Sequence, residues 1–307
     1  MKYLTVFTAA LLVISSASHG QSIPKVPVKK SVTPPLSIIP PLKLPGQTLG
    51  QKRKKKAPYQ NGVPRPPKGL ERCEEVLVAT ESYEMPVGET IRYVVDISGL
   101  SVGTIDFKVV NRGLYSGTEV HEYRSLFKID SLVSTFMPVH GQAASVVELE
   151  SQASLKAMNR YTIEENQFEE NIEFENNASK LVSNRERNGK TVKQDRYFNY
   201  SVQDFVTAFY QVRHMPRDMN GCIVIYGNQR AYTVWLQKEG EERIQTPVGF
   251  RLADRYSIQY GSEYSKLPKK GHLWIGVDEY RLPYRVKVHA RHTLEARVHF
   301  YEEGEQN

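Results

Sequence analysis

The segment HLWIGVDEYRLPYRVKV, residues 272–288, predicts two strands joined by a tight corner, and the rest of the chain can be placed around it. The segment 273–277 is apolar and rich in β-branched residues, which favours a strand. Asp278 and Glu279 supply carboxylates typical of turns. Pro283 cannot donate a backbone hydrogen bond, so it fits the start or the edge of the next strand. The stretch therefore predicts antiparallel β-structure.

Alternating segments recur along the rest of the chain. Residues 90–97 and 104–110 alternate apolar with polar side chains, the pattern of a sheet with one solvated face. Asn188 and Gly189 form the strongest short hairpin signal and separate two further strands. Strands are also predicted at 120–129, 145–150, 168–174, 180–187, 191–197, 222–226, 231–237, 243–246, 250–260, 284–290 and 294–301.

Residues 201–213 break this pattern and predict one amphipathic helix at about 202–213, capped by Ser201. About a dozen antiparallel strands are too many for an ordinary open sheet. The predicted fold is therefore mainly β, a single large antiparallel meander curled into a barrel or half-barrel with the helix packed on it. We expect Trp274 to lie close to the helix. The concave side is expected to carry Val94, Phe107, Val286, Val288, Ala296 and Val298.

The chain begins with the features of a secretory signal peptide. Lys2 precedes an apolar run that ends at Ile14, and small polar residues follow up to Gly20. The run is about 12 residues long, short of the roughly 20 residues that a spanning helix needs. Residues 1–20 are therefore predicted to be cleaved, and the processed protein to be soluble in the periplasm or cell envelope.

A basic, proline-rich segment follows at residues 21–70. It contains 11 Lys or Arg, no Asp or Glu, and 11 of the 17 prolines. Such a composition cannot bury enough surface to fold, so we predict a disordered, extended tether before a β domain at 71–307. That domain holds 29 basic against 34 acidic residues, so the basic isoelectric point belongs to the tether.

One cluster in the tether predicts binding to anionic envelope surfaces such as lipopolysaccharide, lipid headgroups or wall polymers. The alternative is a solubilising spacer without a partner. The cluster consists of Lys52, Arg53, Lys54, Lys55 and Lys56.

The chain has two cysteines, Cys73 and Cys222. Two thiols in an exported protein are more often paired than free, so one disulfide is predicted between the start of the domain and the strand after the helix. The alternative is two separate buried thiols.

Three blocks of sequence carry a resemblance to a known family. They are VGETIRYVV at 87–95 with the glycines that follow, DFVTAFYQVR at 204–213, and LWI at 273–275 followed by Asp278 and RLP at 281–283. In this order they resemble the exported bacterial proteins called domain of unknown function 3108. The sequence departs from the family at Gly276-Val277 and at Tyr284.

That resemblance spans about residues 83–300 and implies no settled activity. It implies a fold similar to capsule-associated outer-membrane lipoproteins and, more loosely, to the half-barrels that carry lipoproteins between membranes. Because unrelated functions share folds, this likeness is a weak guide to function.

The polar and aromatic residues of these blocks allow two interpretations. They could gather in a ligand-binding pocket, or they could be corner residues that cap turns and the helix, tie loops to the sheet and fill the core. The candidate ligand-binding residues are Tyr93, Tyr210, Arg213, Trp274 and Arg281, accompanied by Glu89, Asp204 and Asp278.

No spacing typical of catalysis or metal binding occurs in the sequence. His-Glu-x-x-His, Cys-x-x-Cys and Gly-x-Ser-x-Gly are absent, and His289 and His292, three residues apart, would face opposite sides of a strand. The acidic run at 164–175 predicts a solvated strand face. We therefore predict no catalytic residue, no metal, no cofactor and no nucleic-acid partner.

Three hypotheses for function follow. The first is a non-enzymatic envelope protein whose curled sheet binds or presents an apolar or glycolipid ligand. The second is a structural scaffold of the envelope without a ligand, and the third, with the least support, is a hydrolase. An apolar cavity would favour the first, and an interior filled with side chains the second.

Overall fold

The computed structural model describes residues 59–60, 63–64, 76–77, 85–129, 139–163, 165–262, 268–289 and 292–304. Two short strands, Tyr59–Gln60 (β1) and Val63–Pro64 (β2), pair with each other. The other strands form one sheet of fourteen. They are β3 Thr90–Ile97, β4 Leu100–Tyr115, β5 Thr118–Lys128, β6 Val139–Glu148, β7 Ser154–Ile163, β8 Asn166–Glu175, β9 Lys180–Arg187, β10 Lys190–Tyr197, β11 Asn220–Gly227, β12 Arg230–Thr246, β13 Gly249–Ser262, β14 Lys269–Gly276, β15 Pro283–His289 and β16 Thr293–Glu302.

The sheet is an antiparallel meander in two halves. One half contains β3 to β10 and the other contains β16 to β11, each in order from the centre of the sheet to its edge. The halves are joined where β3 pairs with β16. The first and last strands of the sheet therefore lie at its centre. Its two edges, β10 and β11, are consecutive in sequence.

Those two edges lie next to each other. The hydroxyl of Tyr226 in β11 donates to Gln194 Oε1 in β10 at 3.2 Å, and Gln229 Nε2 donates to the carbonyl of Val192 at 2.9 Å. A flat sheet of fourteen strands would hold its edges about 60 Å apart. The sheet is therefore curled, with no backbone ladder between its edges in the described residues, which confirms the predicted fold class.

The helix, α1, spans Phe205–Gln211 and continues as a 3₁₀ turn, Val212–His214. Its cap is Asp204, whose side chain accepts hydrogen bonds from the backbone N–H groups of Val206 and Thr207. Asp204 satisfies donors that the first turn leaves unpaired, so the helix starts here. The predicted start near residue 202 and the predicted cap Ser201 are therefore wrong by about one turn.

The helix lies on the concave face of the sheet and touches both halves of it. The ring of Phe209 stacks on Phe107 of β4 at 3.7 Å between centroids, and Tyr210 stacks on Tyr123 of β5 at 4.1 Å. From the other half, Tyr232 of β12 lies 6.0 Å from the ring of Phe205. Every helix residue except Phe209 is buried, so the sheet encloses the helix.

The register of the central strands shows which side chains share the helix face. Phe107, Val286, Val288, Ala296 and Val298 lie there, as predicted, since they align with Ile91, Val95 and Tyr93 through the ladders.

Two predictions about the faces of the sheet are wrong. Val94 pairs with Arg297, Arg297 with Arg285, and Arg285 with Trp274, which places Val94 and Trp274 together on the opposite, convex face. The physical reason is strand alternation, because neighbours of inward residues must point outward.

Several strands differ from prediction, and two of these differences have a clear origin in the sequence. β7 was missed, since Lys156, Asn159 and Arg160 dilute its apolar alternation, although Ala157 and Tyr161 are buried. The predicted segments 231–237 and 243–246 form one long strand, β12, with a bulge between Lys238 and Gly240. A bulge breaks the alternation of period two, which is why one strand resembled two.

Candidate functional site

A buried ion pair between Glu89 and Arg213 lies at the end of the helix. Arg213 Nη1 donates to Glu89 Oε1 at 2.7 Å and Nη2 donates to Oε2 at 2.9 Å, a bidentate geometry. Arg213 Nε and Nη2 also donate to the carbonyl of Tyr280, at 3.1 and 2.9 Å. Both charged residues are 0% exposed. The pair ties the 3₁₀ turn to the segment before β3 and to the corner after β14.

Aromatic side chains surround this pair. Tyr93, Tyr123 and Tyr210 are all buried, and Arg213 lies 5.8 Å from the centre of the Tyr210 ring. Burial raises the pKa of each phenol above its ordinary value, whereas the charges of Arg213 and Glu89 shift it in opposite directions, Arg213 downward and Glu89 upward. The phenols are therefore neutral, and Tyr93 donates its hydroxyl proton to the carbonyl of Pro283 at 2.7 Å.

The arrangement is suited to holding elements together. Each nitrogen of the Arg213 guanidinium already donates to an acceptor, and the Glu89 carboxylate accepts from Arg213 and from Tyr301 at 3.4 Å. A buried charge without its partner would cost several kcal/mol, so opening the pair to admit a ligand is unfavourable. Three predicted ligand-binding residues, Tyr93, Tyr210 and Arg213, do come together, but all three are sealed from solvent.

The other two predicted ligand-binding residues lie elsewhere. Trp274, on the convex face, donates Nε1–H to Glu242 Oε2 at 3.0 Å, and the guanidinium of Arg285 lies 4.9 Å from its ring. Arg281, with a left-handed φ of 45°, donates Nη1–H to the carbonyl of Met215 at 2.7 Å. Its backbone N–H donates to Asp278 Oδ1. Arg281 is thus a corner residue that ties the β14–β15 connection to the loop after the helix.

Asp204 forms a second buried polar centre. Besides capping the helix, its carboxylate accepts hydrogen bonds from Ser145 Oγ, Ser154 Oγ at 2.8 Å and Thr207 Oγ1 at 2.6 Å. These bonds fasten the start of the helix to β6 and β7. The sequence gives no reason to single out these two serines as partners of Asp204, because isolated serines in strands are common on the protein surface.

Glu170 forms a third centre, at the seam where the sheet edges approach. It lies in the acidic run, yet it is 1% exposed and accepts from Ser183 Oγ at 2.7 Å. It also accepts from the backbone N–H groups of Asn228 and Gln229, at 2.5 and 2.8 Å. The acidic run therefore divides between the two faces of β8. Glu170 lies on the buried face and anchors the β11–β12 turn, whereas Glu173 lies on the opposite face and is exposed.

Titratable groups suited to metal binding do not cluster in the described part of the chain. It contains no group of three or more His, Cys, Asp or Glu side chains that could hold a metal ion. His121 is buried beside the hydroxyl of Tyr123, which lies 3.3 Å from the Nδ1 atom of His121, and burial together with Arg112 lowers the pKa of His121 to about 4.

In the ranges that the structure describes, no helix has the length and apolar character to span a bilayer.

Several predicted residues lie outside the described residues. They include the whole basic cluster Lys52–Lys56 and Cys73. Cys222 is buried in β11, and its carbonyl accepts the backbone N–H of Leu77 at 2.7 Å, four residues after Cys73. The disulfide therefore stays a prediction, and so does the tether apart from the β1–β2 ladder that lies within it.

The fold and the buried ion pair define a curled antiparallel domain that encloses its own helix. Residues 91–291, about two thirds of the sequence, match the family model described as protein of unknown function (DUF3108). The chain belongs to this family.

Solved structures with similar architecture share little sequence with the chain. A beta-barrel-like protein of domain of unknown function DUF1849 from Brucella abortus has 9% identity and a TM-score of 0.47, over 72% of this chain and 100% of that one. A candidate lipoprotein from Parabacteroides distasonis has 9% identity and a TM-score of 0.34, over 75% and 100%. A candidate exported protein with a YmcC-like fold from Bacteroides fragilis has 8% identity and a TM-score of 0.33, over the same shares. No curated protein matches the chain.

Proposed function

We propose that this protein is a non-enzymatic scaffold of the cell envelope. The β domain serves as a folded head, and residues 21–70 attach it to an anionic surface after export and signal-peptide cleavage. The supporting observation is the enclosed helix: Phe205, Tyr210 and their neighbours occupy the concave face of the sheet, where a carried ligand would otherwise bind.

The positions of the candidate residues favour this scaffold over the ligand carrier. Tyr93, Tyr210 and Arg213 have exposures of 2%, 1% and 0%. The polar atoms of Tyr93 and Arg213 are used in internal hydrogen bonds, whereas the buried hydroxyl of Tyr210 has no hydrogen-bond partner among the described residues. A ligand pocket needs a few convergent polar groups with access from outside. The same residues instead join the end of the helix to both halves of the sheet, so their role is structural.

The attachment part of the proposal rests on charge. Five successive basic residues, 52–56, lie in a segment without acidic residues, and each gains roughly 1 kcal/mol near an anionic surface. The β domain is acidic on balance, with 29 basic and 34 acidic residues, so it contributes no general attraction of its own.

Vesicle binding of the processed protein tests this attachment. Replacing all five residues of 52–56 with Gln should weaken binding to vesicles that contain phosphatidylglycerol by at least about tenfold and reduce its salt dependence. A matched control replaces Lys25, Lys29 and Lys30, which are dispersed in the same segment, and should lose less. Unchanged binding by the 52–56 variant would exclude the cluster as the attachment.

A further inference from the structure

Exposed large apolar side chains concentrate at one place in the fold. Eight such residues occur in the described part of the chain, and three of them lie within five residues of each other. They are Val248, Phe250 and Leu252, with exposures of 71%, 62% and 43%. All three belong to the distal end of the β12–β13 hairpin, residues 243–252, which we term the β12–β13 arm.

The arm extends beyond the body of the sheet. The ladder between β11 and β12 ends at the pair Asn220 and Gln237, and the ladder between β13 and β14 ends at Ala253 and Gly276. Within the described ranges, residues 243–252 therefore form ladder pairs only with each other, although the backbone N–H of Val277 donates to the carbonyl of Leu252 at the base of the arm, at 3.3 Å. A two-stranded hairpin is marginal in water, so it needs one packed face.

The packed face and the free face of the arm are distinct. Ile244 and Thr246 are 6% and 7% exposed and lie on one face. Phe250 pairs with Gln245 and Leu252 with Arg243, and these four exposed side chains form the other face. A solvated apolar face at a protruding tip is a feature that marks interaction sites.

The charges of the arm are all positive. Arg243 and Arg251 are exposed, no Asp or Glu occurs between residues 243 and 252, and the guanidinium of Arg243 lies 5.6 Å from the centre of the Phe250 ring. This local charge of +2 stands on a domain that is acidic overall. The tip therefore carries a local positive charge that an anionic surface attracts.

We propose that the β12–β13 arm docks on the surface of an anionic lipid bilayer. Val248 and Phe250 enter the boundary between headgroups and acyl chains, and Arg243, on the same face as Phe250, remains at the level of the phosphates. Long cationic side chains reach polar surroundings while their stems stay apolar, and aromatic rings favour this boundary.

The size of the exposed patch favours a bilayer over a protein partner. A stable protein interface uses about 20–30 residues on each side, far more than the free face of a ten-residue arm offers. A membrane surface, in contrast, engages a protruding tip without any matching shape. The expected affinity is weak, as for other single membrane signals.

The inference goes beyond the proposed attachment through residues 52–56 and does not depend on it. The two contacts differ in their chemistry, because the cluster acts through charge alone, whereas the arm also buries apolar side chains. High salt should abolish the contribution of the cluster but leave part of the contribution of the arm.

Vesicle binding of the processed protein separates the two contacts. The variant Val248→Ser/Phe250→Ser should bind vesicles of phosphatidylethanolamine and phosphatidylglycerol at least about tenfold more weakly at high salt. Phe300→Ser, which removes an aromatic ring 45% exposed on β16, is the matched control and should bind as the wild type does. In Phe250→Trp, the added indole emission should shift to the blue with these vesicles and not with phosphatidylcholine alone.

Four outcomes would overturn the inference. The first is equal binding by the double Ser variant and by the Phe300→Ser control. The second is an unchanged emission of the Phe250→Trp variant with anionic vesicles. The third is a change from dimer to monomer in the double Ser variant with unchanged vesicle binding, which would assign the arm to contact between two copies of the chain. Loss of binding only on replacement of 52–56 would leave the attachment intact and reject the arm.

Discussion

Arg213 and Glu89, 124 residues apart in sequence, form a bidentate ion pair in which both side chains are sealed from solvent. Arg213 follows the helix and Glu89 precedes β3, so the ion pair links the end of the helix to the first strand of the sheet. The residues that resembled a ligand site in the sequence are thus the residues that lock the fold.

Replacing Arg213 with Met should destabilise the protein by about 3–5 kcal/mol, because Glu89 would remain buried without a partner. Urea unfolding measures this loss. The matched control is Arg92→Gln, which breaks the exposed pair with Asp106 and should cost less than about 1 kcal/mol. Equal losses in the two variants would contradict a clamping role, and Glu89→Leu/Arg213→Met should recover much of the stability.

Replacing Asp204 with Ala should cost at least about 2 kcal/mol, because the helix loses its cap and the hydroxyl of Ser145 loses its acceptor. Ser201→Ala, at the cap position that the sequence predicted, should cost less than about 1 kcal/mol. Chemical denaturation of both variants decides which residue starts the helix. A larger loss for Ser201→Ala would restore the original prediction.

Much of the fold could be predicted from the sequence, because strand alternation and the Asn188-Gly189 turn act locally. The residue that caps the helix could not be identified from the sequence, because Ser201 and Asp204 both suit that position. The contacts of Asp204 with β6 and β7 favour it in the fold. The position of Trp274 on the convex face could not be predicted either, because large aromatic residues are expected in the core. In the structure Glu242 and Arg285 cover its ring from outside.

Three of the five candidate residues that the sequence grouped lie together in the structure, but the sequence could not predict what they do. The structure brings Tyr93, Tyr210 and Arg213 together, yet the sequence could not show that the hydrogen-bonding groups of Tyr93 and Arg213 would be used internally. A cluster of polar and aromatic residues forms either a ligand-binding pocket or an internal structural contact, depending on how deeply it is buried. That burial is set by the whole fold and not by the local sequence.

Acidification should destabilise the protein between pH 6.5 and about 4. Burial lowers the pKa of His121 from 6.5 to about 4, so in this range the unfolded state binds a proton that the folded state does not. Stability is therefore full above pH 6.5 and falls as the pH falls toward 4. His121→Gln should show a shallower decline in urea unfolding. Part of the slope should persist, because burial also lowers the pKa of His214, to about 3.

Thiol labelling of the denatured, unreduced protein should find no free thiol if Cys73 and Cys222 are paired. The loop between them is long, so reduction should lower the free energy of unfolding by up to about 5 kcal/mol. Labelling after reduction provides the control and should find both thiols. Two labelled cysteines before reduction would instead indicate two independent buried thiols.

Native mass spectrometry of the processed protein, purified from its envelope without detergent exchange, tests whether the interior is filled by the helix or by a ligand. We predict a single species with the mass of the polypeptide alone. A stoichiometric adduct with the mass of a lipid or glycolipid, released on denaturation, would contradict the scaffold and establish a ligand carrier.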